Sequence, residues 1–233
     1  MINLSSELSD IYPETVTLMN IFCLKSAFDG SALAADIWTQ NTDGRTASVI
    51  ARNGGRLYVH CESSDLDEVK SFIDVIGYEE IFCSPDTAQK LGLAVLKEFS
   101  VLSVRGCKKK EPPPFNISLK ALYDRLCLGT DGEIDLPDFE TFAPDISHRL
   151  RHGGAAAFLS ENGAALVFLT DFGGIINGIS VSVGKRGKGE GSSLLSRITE
   201  AVDGDVFVCC DEKIKEFYIN NGFTDCGKAV IAR

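Results

Sequence analysis

The chain has 233 residues, of which 44% are hydrophobic and 24% charged, and these proportions are typical of a globular protein. Its 33 acidic and 23 basic residues give a net charge of -10, which argues against nucleic acid or an anionic membrane as partner, because both need a concentrated basic surface. The first 14 residues lack a basic n-region, and no apolar run has membrane-spanning length. A cytoplasmic location is therefore expected.

Eight cysteines are present without any CxxC pair, and several lie inside apolar runs such as Val206–Cys210. Clustered thiols are needed for a structural metal site or a redox pair. The cysteines are therefore predicted to be reduced thiols in the core, and no metal is predicted.

Strand and helix signals alternate through the first half. Asn53-Gly54 is a hairpin signature between two strand-like runs, and a helix with apolar residues at helical spacing follows. The predicted strands are Thr46–Arg52, Arg56–Cys61, Glu80–Cys83 and Val95–Val104, and the predicted helices are Asp65–Gly77 and Asp86–Leu91.

Three consecutive prolines, Pro112 to Pro114, cannot continue a helix or lie in a central strand. They predict a linker over residues 107–116, with an N-terminal domain over 1–106 and a C-terminal domain over 117–233.

The second half repeats the same order of signals around a second Asn-Gly pair, Asn162-Gly163. Its predicted helices are Leu119–Leu128, Phe139–His152, Ser192–Val202 and Glu212–Asn221, and its predicted strands are Ala155–Ser160, Ala164–Leu169, Ile175–Val183, Val206–Cys210 and Asp225–Ala232. The two halves are interpreted as related copies in a mixed α/β fold. An extra segment, Gly173–Gly191, distinguishes the C-terminal copy.

That segment contains a glycine-rich loop between a strand and an amphipathic helix. Gly187, Gly189 and Gly191 allow backbone N–H groups to turn toward one concavity, and the helix start adds partial positive charge. Such a loop is typical of phosphate binding. A Walker A loop does not fit because Glu190 replaces its lysine, and a dinucleotide fingerprint fits poorly because Ser192 replaces its third glycine.

The remaining pattern, Arg186-x-x-Gly189-x-Gly191 followed by Leu194-Leu195, resembles the pyrophosphate signature of the GNAT superfamily of N-acetyltransferases. A second stretch, Phe217–Phe223, resembles the family's aromatic-Tyr segment that ends in Gly-Phe. The resemblance covers roughly residues 117–233. It implies two GNAT-like halves, each a twisted and mostly antiparallel sheet flanked by helices, with the N-terminal half a degenerate copy.

The resemblance also implies a site for acetyl-CoA. In relatives the strand before the loop splays from its neighbour and pairs with pantetheine, which points to Ile179, Ser180 and Val181. The pyrophosphate would then contact the loop and the helix start, at Arg186, Gly187, Lys188, Gly189, Glu190, Gly191 and Ser192.

Tyr218 matches the tyrosine that protonates the departing CoA thiolate in many relatives, and a phenol is a neutral donor at pH 7. Three features depart from the family. Asp211 stands where an Asn is common, Ile214 replaces a small residue, and the strand Ile175–Val183 carries no acidic base.

The expected activity is transfer of an acetyl group to an amine of a small molecule or peptide, which the sequence does not identify. A non-catalytic acyl-CoA-binding or regulatory module is the alternative, and an interaction protein with an inactive site is a third possibility.

His148 and His152 share a helix face but have no third metal ligand. Only 11 residues follow Gly222, fewer than in relatives. We therefore expect the N-terminal half or another chain, as in a homodimer, to complete the sheet.

Overall fold

The structure is a computed structural model and describes residues 1–5, 8–28, 36–62, 65–113, 117–128 and 136–233. Two compact units are present. Unit 1 contains Met1–Leu102, Cys209–Lys215 and Asp225–Arg233, and unit 2 contains Ser103–Val208 and Glu216–Thr224. The last strand of the chain thus belongs to the same unit as the N-terminal residues.

The strands are β1 (Ile2–Leu4), β2 (Ile37–Thr42), β3 (Arg45–Asn53), β4 (Arg56–Cys61), β5 (Glu80–Cys83), β6 (Val95–Cys107), β7 (Ala155–Leu159), β8 (Gly163–Thr170), β9 (Gly173–Val181), β10 (Asp203–Cys210) and β11 (Thr224–Ala232). The helices are α1 (Val16–Phe28), α2 (Leu66–Ile76), α3 (Pro85–Leu91), α4 (Leu119–Leu128), α5 (Phe139–Arg151), α6 (Glu190–Ala201) and α7 (Lys215–Ile219). None of the helices in the described ranges is both long and apolar enough to cross a membrane.

Unit 1 has the strand order β1-β2-β3-β4-β5-β11. The β4–β5 pair is parallel, whereas β11 runs antiparallel to β5 with Val230 opposite Cys83. Helices α2 and α3 cover a core that includes Ile73, Leu91 and Val230. The C-terminal strand therefore contributes to the hydrophobic core of unit 1.

Unit 2 has the order β10-β9-β8-β7, in which β9 and β10 are parallel and the other pairs antiparallel. Helices α4 and α5 pack on the face that carries Ala164 and Leu166. Helix α6 lies on the opposite face of the sheet, where its apolar side is near Gly163 and Val181. These two residues alternate along their strands with residues that face α4 and α5. The central strands are thus covered on both faces.

The mixed α/β fold predicted from the sequence is confirmed, with differences at several elements. The predicted helix Glu212–Asn221 is a 3-10 turn, Glu212–Ile214, followed by the short helix α7. The elements β1, α1 and β2 have no counterpart among the predictions.

The related-copy interpretation and the linker both stay predictions, and residues 114–116 of the linker lie outside the described residues.

All eight cysteines are free thiols rather than disulfides. The expectation that they are core residues is wrong for three of them, because Cys107, Cys127 and Cys226 are exposed. Burial raises the pKa of the Cys83 thiol to about 12, so that thiol is protonated and unreactive at neutral pH.

Candidate cofactor-binding site

Strand β9 parts from β10 halfway along its length. The parallel pairing runs from Asp205 opposite Gly173 to Val208 opposite Ile176. The antiparallel pairing with β8 continues to Gly163 opposite Val181, with a register shift that leaves Asn177 as an extra, bulged residue. Among the described residues of unit 2, the second half of β9 is therefore paired with a neighbouring strand on one side only.

The open edge of β9 carries backbone polar groups of alternate residues. Ser182 N–H donates to Asn162 O at 2.9 Å, so the backbone groups of Ser182 and Ser180 are directed toward β8. By the same alternation, those of Ile179 and Val181 are directed away from β8. Ile179 is thus placed to pair with an extended ligand through both backbone groups, and Val181 through its N–H, since its carbonyl already accepts from Arg186 Nε.

Ser180 has a different environment from its two neighbours. It is 4% exposed, and its hydroxyl donates to the backbone carbonyl of Arg125 in α4. Its side chain thus holds α4 against β9 rather than lining the open edge.

The glycine loop follows β9 directly. A 3-10 turn, Val183–Lys185, leads to Arg186, and Gly187 and Gly189 then adopt left-handed φ angles of 72° and 84°. Gly189 is the N-cap of α6 and provides no side-chain cap. Because side chains other than glycine rarely adopt this backbone conformation, the glycines are required by the turn itself.

The loop presents a row of unpaired backbone donors. In the described part of the chain, no protein acceptor receives the N–H of any residue from Gly187 to Ser192, and the first helical bond is Ser193 N–H to Gly189 O at 2.9 Å. A Cβ built on Gly187 or Gly189 would meet no atom within 4 Å. The helix start is therefore an accessible group of unpaired N–H donors, which favours an anion.

Two cationic side chains fold back onto the same loop. Arg186 Nε donates to Val181 O at 3.3 Å, and Lys188 Nζ donates to Gly184 O at 3.3 Å. Both residues are exposed, and Glu190 in the first turn of α6 is partly exposed. The loop thus combines two positive charges with one negative charge.

Gly191 serves close packing between helices. A Cβ on this residue would lie 3.0 Å from Cζ of Phe217 in α7. The aromatic segment that follows β10 therefore packs directly against the start of α6.

Tyr218 lies in that segment and is 2% exposed. Its ring makes edge contacts with Phe217 and Phe223 at centroid distances of 5.1 and 5.4 Å. Its carbonyl accepts the N–H of Phe223 at 3.1 Å, which closes the turn at Gly222. Tyr218 thus has a packing role in the structure, and its predicted acid role stays a prediction.

The start of helix α2 in unit 1, by contrast, is closed to anions. Asp65 caps α2 by accepting the N–H of Glu68 at 3.1 Å, and the first turn contains two further acidic residues. Glu68 accepts from the Gln40 amide at 2.7 Å, and this bond lowers the pKa of its carboxyl. An additional anion there would face like charges.

Asn177 is a candidate site residue that the sequence reasoning missed. It is exposed at the bulge, where β9 leaves β10. The available signal was Gly178 directly after it, because a glycine within a strand often marks a bulge.

The two histidines of α5 stack on each other. The ring centroids of His148 and His152 are 4.4 Å apart. No group of three or more potential metal ligands occurs among the residues that the structure describes.

Comparisons with known proteins add information at the level of the fold. No family model and no curated protein matches the chain. Among solved structures, a GCN5-related N-acetyltransferase from Sphaerobacter thermophilus is similar, with 13% identity, a TM-score of 0.56 and coverage of 93% of this chain and 90% of that one. A GCN5-related N-acetyltransferase from Kribbella flavida has 14% identity, a TM-score of 0.53 and coverage of 80% and 86%. The chain has the fold of the GNAT family of N-acetyltransferases.

Proposed function

We propose that the protein is an acetyl-CoA-dependent N-acetyltransferase that acts on the amine of a small molecule or peptide. The carrying observation is the row of unpaired N–H groups from Gly187 to Ser192 beside the open edge of β9. Acetyl-CoA offers a diphosphate and an extended amide-containing arm, which are the two ligand types that these features suit. The residues present therefore fit the co-substrate.

Each part of the site has a role in this proposal. The loop N–H groups hold the diphosphate, with Arg186 and Lys188 adding positive charge. The backbone groups of Ile179 and Val181 pair with the pantetheine arm and orient the thioester. Bound acetyl-CoA supplies the activated acetyl group that the acceptor amine attacks.

Tyr218 is proposed as the group that returns a proton to the departing thiolate. The phenol gives up its proton as the carbon–sulfur bond breaks, and it regains one through solvent from the attacking nitrogen, which loses a proton as the amide forms. Its burial against Phe217 and Phe223 fixes the direction of the ring.

A non-catalytic acyl-CoA-binding or regulatory module is the second candidate. It is favoured by the 2% exposure of Tyr218 and by the lack of any acidic residue in β9. Such a module would bind acetyl-CoA without turnover, whereas an interaction protein with an inactive site would bind none.

We further propose a cytoplasmic location, which the eight free thiols support because such thiols persist in reducing compartments. The net charge of -10 supports a partner other than nucleic acid. A homodimer stays a prediction, to be checked by light scattering.

Binding is tested by calorimetric titration of acetyl-CoA into the wild type and two loop variants. Gly189→Ala forces a left-handed φ onto alanine, at a cost of about 1–2 kcal/mol, so we expect roughly tenfold weaker binding. Gly184→Ala is the matched control, because a Cβ on Gly184 would meet no atom within 4 Å and this residue does not have a left-handed φ angle. Equal affinities in both variants, or no binding by the wild type, would exclude the proposed loop site.

A further inference from the structure

Asn177 is the side chain that β9 presents at the point where it leaves β10. It is the bulged residue and is exposed, and no hydrogen bond to its amide occurs within the described residues. The rest of β9 contains only glycine, isoleucine, serine and valine. The strand therefore offers an amide, and no ionisable group, beside the position proposed for the thioester.

The carboxylates on elements packed against β9 are mostly engaged elsewhere. Asp205 on β10 pairs with Arg105, Asp124 on α4 pairs with Lys120, and Glu200 on α6 pairs with Lys110. The other ionisable groups of these elements are Asp203, Cys209 and Cys210 on β10, Tyr123, Arg125 and Cys127 on α4, and Glu190 and Arg197 on α6. Strand β8 has none.

The thiols and the phenol among these groups are poor bases. Burial raises the pKa of Cys209 to about 12 and that of Cys210 to about 11. It also raises the pKa of Tyr123. All three remain protonated at neutral pH and cannot accept a proton from an acceptor ammonium.

An amide side chain can orient an amine but cannot deprotonate it. Asn has an acceptor oxygen for an amine N–H and takes up no proton near neutral pH. Only a neutral amine has the lone pair that attacks a thioester. Because β9 itself offers no base and Asn177 takes up no proton, we assign the first proton of the acceptor to water, before the acceptor binds productively.

This requirement separates amines by basicity. An α-amino group, with a pKa of about 7.7–8.0, is neutral in about one molecule in ten at pH 7, whereas a lysine ε-amine, with a pKa of about 10.4, is neutral in about one in 2,500. The reactive fractions differ by a few hundredfold.

We infer that the acceptor is a weakly basic amine of the α-amino class, and that Asn177 Oδ1 orients it by accepting one of its N–H bonds. The ammonium first loses one proton to water, and the neutral nitrogen then forms the new bond to the acetyl carbon. As the carbon–sulfur bond breaks, the nitrogen loses a second proton to water and the thiolate takes its proton from Tyr218, so the products are an amide and the free thiol. The inference rests on the proposed acetyltransferase function.

The test compares two probes with the full-length protein and acetyl-CoA. Alanine amide offers an α-amine, and Nα-acetyl-lysine amide offers an ε-amine. We expect kcat/KM at pH 7 to be at least about a hundredfold higher for alanine amide. With Nα-acetyl-lysine amide, kcat/KM should rise about tenfold per pH unit between pH 7 and 9.

Two substitutions test the role of Asn177. Asn177→Ala should lower kcat/KM for alanine amide about tenfold and leave the affinity for acetyl-CoA unchanged. Asn177→Asp supplies a base, so it should raise turnover of Nα-acetyl-lysine amide at pH 7 and flatten its pH profile. Asn3→Ala, which removes an exposed strand amide in unit 1, is the control and should change neither quantity.

The outcomes separate this inference from the proposed function. Failure to bind acetyl-CoA would remove the proposed function itself. Binding followed by pH-independent acetylation of the ε-amine, or by faster acetylation of the ε-amine than of the α-amine at pH 7, would overturn only the α-amine inference. Binding with no acetylation of either probe would overturn this inference and would favour the non-catalytic module over the proposed function. A wild-type profile in Asn177→Asp would overturn the orienting role.

Discussion

Tyr218 has a buried ring, and its hydroxyl is the group proposed to protonate the departing thiolate. The ring lies between Phe217 and Phe223 and is 2% exposed. Removing only the oxygen tests the chemistry while the ring contacts are kept.

We expect Tyr218→Phe to lower kcat about a hundredfold, because the thiolate then leaves without a positioned acid. The affinity for acetyl-CoA and the melting temperature should change little. Steady-state kinetics, calorimetric titration and thermal unfolding measure the three quantities. Unchanged kcat would assign Tyr218 to packing alone.

At the residue scale, the sequence predicted more of the loop than of the strand beside it. Gly187 and Gly189 have the left-handed angles that a glycine pattern suggests. The orientation of Ser180 and the bulge at Asn177 depend on the register between β8 and β9. Register is set by packing of both faces, which a local pattern does not show.

At the element scale, local signals predicted many boundaries closely. The observed α2, Leu66–Ile76, lies between its cap residues Asp65 and Gly77, as predicted. This boundary could be predicted because capping residues and apolar periodicity are both local features of the sequence. Helix α1 was missed because its described residues are apolar or buried almost all round. A helix of that kind has no polar face, so amphipathic periodicity gives no signal.

The pairing of β11 with β5 is a second element-scale feature that the sequence did not indicate. It joins Val230 to Cys83, which are far apart in the chain. Such pairing is decided by burial of the whole strand and not by turn residues. A strand added in this way should be part of the cooperative core of unit 1.

Val230→Ala tests that claim. Val230 is 1% exposed and lies in the core of unit 1, so removal of two methyl groups should cost about 2 kcal/mol in urea unfolding. Val75→Ala, on the exposed side of α2, is the matched control because Val75 is 85% exposed. Equal losses in the two variants would contradict a core role for β11.

At the scale of the whole molecule, the titratable groups predict how stability depends on pH. Several carboxyl groups have pKa values below their ordinary range because they accept hydrogen bonds: Asp10 from Thr46, Glu68 from Gln40, Asp138 from Thr141, Glu200 from Lys110, Glu212 from Ser100 and Asp225 from Lys215. The unfolded chain takes up protons on these groups before the folded chain does. Their contribution to stability is therefore complete above about pH 4.5 and lost as the pH falls further.

Two buried groups determine the pH range in which the free energy of unfolding is greatest. Burial lowers the pKa of His60 below 6.5, so the unfolded state binds its proton first and stability begins to fall as the pH drops through about 6.5. The pKa of Cys83 is raised by burial from 9.0 to about 12, so stability falls again as the pH rises above about 9. The free energy of unfolding should thus be greatest between these values.

Urea unfolding across the pH range measures this profile, at high ionic strength so that self-repulsion of the net charge of -10 is screened. The variant His60→Gln should lose the decline that begins as the pH falls through about 6.5 and keep the steeper decline below about pH 4.5, because the carboxyl groups are untouched. An identical profile in this variant would show that His60 carries no part of the acid sensitivity. A stability that rises continuously toward acid pH would contradict the carboxyl assignments, since each of those groups can only lose its hydrogen-bonded anion on protonation.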